Sequence, residues 1–176
     1  PAGLMLGQLL HLQGIDSVIV ENRSRQYVIE RVRAGVLEQG TVDLMREVGV
    51  GDRLAREGMR HDGIYLAFGG VRHRIDMAEL TGGRAITIYG QNEVVHDLIE
   101  ARLATGRPLH FEAEDVSVHD LESDKPRIQF RRVDAGAPEQ VAYPPPCRTH
   151  VQCQEIPSIA ASCAADTGEP VMSRPS

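Results

Sequence analysis

The chain of 176 residues has no tryptophan, and it contains only three phenylalanines and four tyrosines. So few aromatic side chains argue against a surface that stacks the bases of a single-stranded nucleic acid. Basic residues are not in excess either, because the formal net charge is -6 at pH 7. Nucleic-acid partners require a positively charged footprint. A nucleic-acid partner is therefore not expected.

Long apolar runs are also lacking. No stretch of about 18 or more apolar residues occurs, and no basic start precedes an apolar segment, so we expect neither a membrane span nor a secretory signal. All three cysteines, Cys147, Cys153 and Cys163, lie near the end of the chain. This distribution favours a reducing cytoplasm over a disulfide framework. The first residue is Pro1 rather than methionine, which indicates a processed chain or a fragment.

Two regions of the chain differ in pattern. Residues 1–143 contain periodic apolar segments, and we interpret them as one domain. Residues 144–176 open with Pro144-Pro145-Pro146 and continue with many Pro, Ser, Ala and Cys residues and no apolar period. Such a segment buries too little apolar area to offset its ordering entropy, so we expect an irregular tail.

Apolar periodicity in the first region predicts helices and short strands that alternate and then become β-rich. The predicted helices are Ala2–Gln13, Glu38–Val48, Asp52–Glu57 and Gln91–Ala104. The predicted strands are Ser17–Glu21, Gly63–Phe68, Val71–Ile75, Ala85–Tyr89, Leu109–Glu112, Asp115–Leu121, Arg127–Val133 and Gln140–Tyr143. Gly69-Gly70 predicts a hairpin, Gly14 predicts the end of the first helix, and the leucines around that helix predict its burial. This order favours an α/β nucleotide-binding domain with an inserted antiparallel β-sheet.

Gly3 and Glu21 have the spacing of a dinucleotide-binding fingerprint. In that fingerprint a glycine at the helix start permits close packing on a strand, and an acidic residue about twenty positions later binds a ribose hydroxyl. Glu21 follows the predicted strand and lies at this distance from Gly3. The alternative is that Glu21 is an exposed acid at a strand end and that Gly3 only begins a helix.

Arg31 and Arg33 form a second candidate site. They lie two residues apart, so in an extended segment their side chains point to the same side. Two guanidinium groups near a helix N-terminus would bind a pyrophosphate or another anion. The alternative is a solvated basic loop.

Four runs of residues resemble the single-component FAD-dependent aromatic-ring hydroxylases, a family of flavin monooxygenases. The resemblance extends from Pro1 to about Tyr143, and its most specific part is the third run. The runs are Gly7-Gln8-Leu9-Leu10-His11, Gly14-Ile15-Asp16, Arg33-Ala34-Gly35-Val36-Leu37-Glu38-Gln39-Gly40 and Tyr89-Gly90-Gln91. The implied fold is a partial Rossmann-type FAD-binding domain without its first strand.

The resemblance implies roles for particular residues. Glu21 would bind the adenosine ribose of FAD, and Ala2 and Gly3 would lie on the phosphate turn. The flavin and pyrophosphate region would be lined by Arg31, Val32, Arg33, Ala34, Gly35 and Val36. Gln91 would contact the cofactor through its amide, the alternative being local hydrogen bonds at a helix start. Arg23, Arg25 and Tyr27 fall where the family binds NADPH, or they belong to a polar surface loop.

The resemblance also implies an activity. Its closest members hydroxylate 4-hydroxybenzoate, a small aromatic acid, to 3,4-dihydroxybenzoate with NADPH and O2, and they are cytoplasmic homodimers. Substrate recognition in the family lies in a later sheet domain, so no residue of this chain is expected to be catalytic.

Two departures from the family suggest a fragment that is inactive alone. The opening strand and the first two fingerprint glycines are absent, and no Cys-Asp-Gly motif follows Tyr143. A truncated or frame-shifted remnant without catalysis is one alternative. The FAD domain of a hydroxylase of another phenol is a second alternative, against which the Arg33–Gly40 run argues.

Metal and hydrolase sites are not expected. The seven histidines are scattered without ligand-like spacing, and the three cysteines with His150 contain no C-x-x-C pair. Ser117 and His119 share a strand face, but no acid is placed to orient them. No Gly-x-Ser-x-Gly elbow occurs.

Overall fold

The computed structural model describes residues 1–123, 125–132 and 138–142. Packing divides the chain into two units, Pro1–Pro146 and Cys147–Ser176. All described residues belong to the first unit. The expected irregular tail, residues 144–176, lies outside the described residues, as do the three cysteines.

Six helices and ten strands are found in the described residues. The helices are α1 (Ala2–Leu12), α2 (Arg25–Glu30), α3 (Gln39–Glu47), α4 (Asp52–Glu57), α5 (Met77–Leu80) and α6 (Gln91–Ala104). The strands are β1 (Ile19–Val20), β2 (Val36–Glu38), β3 (Met59–His61), β4 (Gly63–Phe68), β5 (Val71–Asp76), β6 (Ile86–Ile88), β7 (Leu109–His110), β8 (Ala113–His119), β9 (Arg127–Arg132) and β10 (Pro138–Ala142).

The parallel part of the fold is formed by β1 and β7, with α1 and α6 packed beside them. Ile19 pairs with Leu109, and Val20 pairs with His110. Helix α1 ends where expected, because Gly14 has a φ of +69° that other residues rarely adopt. A side chain at Gly7 would meet Cδ1 of Ile19 at 2.6 Å. Gly7 therefore permits the close packing of α1 on β1.

The main apolar core lies between α3, α4 and α6. Val42 and Met45 of α3 are buried together with Leu54 of α4, Leu98 of α6 and Tyr89, which lies two residues before α6. In α3 and α6 the buried side chains recur at helical spacing, so one face of each helix is removed from water. This core fixes the position of the N-terminal end of α6.

Three antiparallel sheets complete the described structure. Their strand orders are β2-β6-β3, β4-β5 and β10-β9-β8. In the second sheet Gly69 and Gly70 both have positive φ, +57° and +76°, which is the conformation of a tight hairpin turn. In the third sheet the register shifts between Glu114 and Ser117. The predicted α/β fold with antiparallel sheets is thus confirmed, as is the hairpin.

Two expectations about α1 were wrong. We expected α1 to be buried on most of its surface, but Leu6 and Leu12 are 56% and 51% exposed. Leu4, Met5 and Leu9 pack against the core, whereas these two leucines stay in contact with water. We also expected Gly3 to allow helix–strand packing, but no atom lies within 4 Å of a side chain placed there. Gly7 has that role one turn later.

Four short elements were missing from the prediction: α2, α5, β2 and β3. Strands β2 and β3 pair with the two edges of β6, so they depend on tertiary contacts rather than on a local pattern. Among the described helices, none has the length and apolar character needed to cross a membrane.

Candidate functional site

A cleft opens where the N-terminal ends of α1 and α6 approach the end of β1. Its volume is about 410 Å³, which lies within the usual range for small-molecule sites. Its lining combines apolar side chains with polar and cationic ones. The lining residues are Pro1, Gly3, Leu4, Ile19, Val20, Glu21, Asn22, Arg23, Tyr27, Val28, Arg31, Arg33, Gln91, Asn92, Val95, Ile99, Leu109 and Phe111.

Two helix N-termini are directed to this cleft without a capping side chain. Helix α1 begins after Pro1 and α6 begins after Gly90, and neither residue provides a side-chain cap. The short helices α2 and α5, in contrast, are capped by Ser24 and Asp76. The first backbone N–H groups of a helix have no partner within it, and they carry partial positive charge. The cleft can therefore offer backbone donors to an anionic group.

Glu21 is held firmly at the end of β1. Its backbone N–H donates to the carbonyl of His110 at 2.9 Å, and its carbonyl accepts from the N–H of Ala113 at 3.0 Å. One carboxylate oxygen, Oε1, accepts from the N–H of Arg23 at 3.0 Å. Within the described residues no hydrogen bond to Oε2 is present. Glu21 thus has a fixed backbone and acceptor capacity directed to the cleft.

Arg31 and Arg33 both line the cleft, whereas Val32 between them is 81% exposed. This is the alternation expected of an extended segment. The guanidinium of Arg31 lies 5.7 Å from the ring centre of Tyr27, and that of Arg23 lies 5.4 Å from it. The two cations make this side of the cleft positive, and the tyrosine ring beside them provides a flat surface.

Tyr27 lies on α2, which corrects the alternative of a polar surface loop for this segment. The hydroxyl of Ser24 accepts from the N–H of Tyr27 at 3.2 Å, and such capping stabilises a helix start. Arg25 turns away from the cleft and forms an ion pair with Glu100 of α6 at 2.5 Å. The capped helix therefore places Tyr27 in the cleft, and the ion pair of Arg25 connects this helix to α6.

Gly35 brings the arginine segment into contact with the start of α6. Its carbonyl accepts from the N–H of Tyr89 at 2.8 Å. A Cβ atom at Gly35 would lie 2.7 Å from Cα of Gly90 and 2.8 Å from the carbonyl oxygen of Tyr89. Only glycine permits this approach of two backbones.

Behind this contact, Tyr89 belongs to a partly buried polar cluster. Its hydroxyl donates to Oδ2 of Asp97 at 2.6 Å, and Arg53 donates to Oδ1 of the same carboxylate at 2.8 Å. Arg53 also forms ion pairs with Glu57 and Glu93. Burial raises the pKa of Tyr89 above its ordinary value of 10.0, and the hydrogen bond to Asp97 raises it further.

The structure brings together five of the ten residues that the resemblance assigned to FAD. Gly3, Glu21, Arg31, Arg33 and Gln91 line the cleft. Ala2, Val32, Ala34, Gly35 and Val36 are not among its lining residues, and Val36 instead pairs with Ile88 in a sheet.

Sequence reasoning missed other residues that line the cleft. Asn22 and Asn92 each follow a predicted site residue, so their adjacency to Glu21 and Gln91 could have indicated them. Phe111, which directly follows β7, reaches the cleft through a long-range contact that sequence spacing cannot show.

Metal and hydrolase chemistry have no support in the described residues. No group of three His, Cys, Asp or Glu side chains there could hold a metal ion. Ser117 and His119 are in contact, with Oγ 3.0 Å from Nε2, but neither lines a cleft described above.

Comparisons with known proteins show the family of this chain. The family described as the FAD binding domain matches residues 1–142. A p-hydroxybenzoate hydroxylase from Acinetobacter baylyi is 46% identical over 130 residues, which cover 74% of this chain and 32% of that protein. The chain thus spans about a third of the length of this relative.

Solved structures share the fold. A p-nitrophenol 4-monooxygenase from Pseudomonas putida superposes with a TM-score of 0.65 at 18% identity, over 81% of this chain and 36% of that one. A flavin-dependent monooxygenase in complex with FAD and substrate has a TM-score of 0.62 at 21% identity, over 81% and 27%. This chain therefore belongs to the FAD-binding domain family, and its resemblance to FAD-dependent aromatic hydroxylases is confirmed.

Proposed function

We propose that residues 1–143 hold FAD in this cleft, as part of a monooxygenase that converts 4-hydroxybenzoate to 3,4-dihydroxybenzoate. The observation that carries the proposal is the cleft itself. It combines an acidic strand end, two guanidinium groups and two uncapped helix N-termini within one volume. We assign no part in this function to residues 144–176.

The residues present fit the chemistry of FAD. Glu21 would accept hydrogen bonds from the ribose hydroxyls through its carboxylate. The N-terminal turn of α1, with Ala2 and Gly3, and the guanidinium of Arg33 would neutralise the pyrophosphate. Gln91 would donate through its amide from the start of α6. Val32, Ala34, Gly35 and Val36 would shape the segment that carries Arg33 rather than touch the phosphates.

Bound FAD supplies the oxidation–reduction chemistry that side chains lack. In the overall reaction one oxygen atom of O2 enters the aromatic ring, the other leaves as water, and NADPH provides the two electrons. The described residues contribute binding and orientation, and none of them is assigned a catalytic role. The aromatic acid would bind elsewhere in a longer protein, as the 32% coverage of the hydroxylase relative suggests.

NADPH is the proposed co-substrate. The ring of Tyr27 with Arg23 and Arg31 on it would provide a stacking surface and two cations at the mouth of the cleft. Guanidinium groups suit phosphate recognition. We further propose a cytoplasmic location, from the distribution of cysteine, and a homodimer, from the resemblance to the family.

The proposal is tested by titrating the purified full chain with FAD and following the quenching of flavin fluorescence. We expect saturable binding that weakens about tenfold or more in Glu21→Ala and in Arg33→Ala, because each removes hydrogen bonds to a charged group worth about 1.5–3 kcal/mol. Glu47→Ala and Arg72→Ala are the matched controls, since both residues are exposed and outside the cleft.

Either of two results would contradict the proposal. Absence of saturation with the unaltered chain would identify it as a remnant without cofactor binding. Equal affinities of the site variants and the control variants would show that FAD binds at another place.

A further inference from the structure

Tyr89 connects the polar cluster behind the cleft to Gly35, in the segment that follows the cleft residue Arg33. On one side its hydroxyl donates to Asp97 at 2.6 Å. On the other side its backbone N–H donates to Gly35 at 2.8 Å. The residue itself is 4% exposed. Tyr89 is thus held at its side chain and at its backbone, immediately before the Gly90–Gln91 turn that opens α6.

Asp97 is the fixed point of this arrangement. Its side chain is only 9% exposed, and its two oxygens accept from different residues, Tyr89 and Arg53. Arg53 lies on α4 and also lies over the ring of Tyr89, with its guanidinium carbon 5.8 Å from the ring centre. The cluster therefore locks the tyrosine ring between two helices that belong to the core.

The position of the ring decides the position of the turn. Tyr89 and Asp97 are eight residues apart, so the tyrosine side chain extends forward beside the first two turns of α6. The backbone of Tyr89 and Gly90 touches Gly35 without room for a further atom, so the anchored ring and this contact together hold the turn in place. Gln91, the next residue, lines the cleft.

We propose that Tyr89, anchored by Asp97 and Arg53, is a positioning residue that aligns the Gly90–Gln91 turn and thereby determines how well Gln91 meets FAD. This inference rests on the proposed function. It adds a residue that lies outside the cleft and touches no ligand.

The test is the dissociation constant of FAD for the full chain and for Tyr89→Phe, measured well below the unfolding temperature of both. We expect Tyr89→Phe to bind FAD about five- to tenfold more weakly, because Gln91 is misplaced and Oδ2 of Asp97 is left without its donor. Tyr65→Phe is the matched control, because it removes a hydroxyl from the exposed hairpin. Its dissociation constant should stay within about twofold of the original.

A double-mutant cycle with Gln91→Ala separates positioning from a general loss of stability. If Tyr89 acts through Gln91, Tyr89→Phe costs little further affinity once Gln91 is alanine. A purely structural tyrosine would lower the unfolding temperature and leave the dissociation constant unchanged, or its cost would be the same in both backgrounds. Either result would overturn the inference while the proposed function stands.

Asp97 variants keep the inference testable if Tyr89→Phe does not fold. Asp97→Asn retains an oxygen that accepts from Tyr89, and we expect FAD affinity within about threefold of the original. Asp97→Ala removes the acceptor and should weaken FAD binding as much as Tyr89→Phe. Equal affinities of these two variants would contradict the inference. Absence of FAD binding by the unaltered chain would overturn the proposed function and this inference together.

Discussion

Gly35 lies so close to the backbone of Tyr89 and Gly90 that a side chain there must displace one of them. We expect Gly35→Ala to destabilise the chain by about 1–3 kcal/mol, the usual range for overpacking. Gly40→Ala is the control, because no atom lies within 4 Å of a side chain placed at that position in α3. It should be neutral or stabilise by up to about 1 kcal/mol. Denaturant unfolding of both variants measures the difference, and a neutral Gly35→Ala would contradict the close contact.

The raised pKa of Tyr89 gives a stability effect in alkaline solution. Since the pKa in the folded chain lies above the ordinary value of 10.0, Tyr89 stays protonated in the folded state at a pH where it ionises in the unfolded state. Its contribution is complete below about pH 10 and declines as the pH rises further. We therefore expect the free energy of unfolding to fall less steeply above pH 10 in Tyr89→Phe than in the original chain. Tyr65→Phe, as control, should keep the original slope.

The positions of single residues could be predicted from sequence where they depend only on local spacing. The strand before Glu21 and the extended segment of Arg31 and Arg33 are local patterns, so these side chains reach the cleft as expected. Gly3 and Gly7 show the opposite case. Both are glycines of α1, and only the packing of Ile19 on Gly7 reveals which one permits contact between the helix and the strand.

Among the elements, the β4–β5 hairpin depends most on its turn. Gly69 and Gly70 both have positive φ. A two-residue turn of this kind accepts the pair Asn-Gly, whereas it does not accept a β-branched residue readily. We expect Gly70→Val to destabilise the hairpin locally by about 1–2 kcal/mol and Gly69→Asn to be tolerated. Hydrogen exchange should show faster exchange of the β4 and β5 amides in the first variant only. Equal exchange in both would contradict the turn geometry.

Long elements were predicted from sequence and short ones were not. Helix α6 (Gln91–Ala104) was predicted with its observed bounds, because its apolar period extends over fourteen residues. The six residues of α2 are too few for a period, although Ser24 is a typical capping residue that could have indicated its start. Asp76 caps the four-residue α5 in the same way. Such helices depend on their caps and on contacts made elsewhere.

At the scale of the whole molecule, the described residues keep several apolar side chains in contact with water. Leu6 and Leu12 of α1 are exposed, as are Phe68 and Val71 beside the hairpin turn. The leucine pattern of α1 correctly predicted a helix and wrongly predicted the burial of most of its surface. An apolar face is buried only where it has a neighbour. The overall α/β order was predictable, since it follows from local periods, whereas the degree of burial was not.

Binding of FAD should stabilise the whole chain in a way that depends on salt. A ligand at about a hundred times its dissociation constant adds about 2.7 kcal/mol, which raises the unfolding temperature of a chain of this size by roughly 5–10 °C. The pyrophosphate would face Arg33 at the open mouth of the cleft, where salt screens charges strongly. At a fixed FAD concentration, we therefore expect a smaller rise in unfolding temperature at about 0.5 M NaCl than at about 0.05 M NaCl. In Arg33→Ala the rise should be smaller and less sensitive to salt, whereas Arg72→Ala should behave like the original chain. A rise in unfolding temperature that is equally sensitive to salt in all three chains would show that Arg33 does not meet the phosphates.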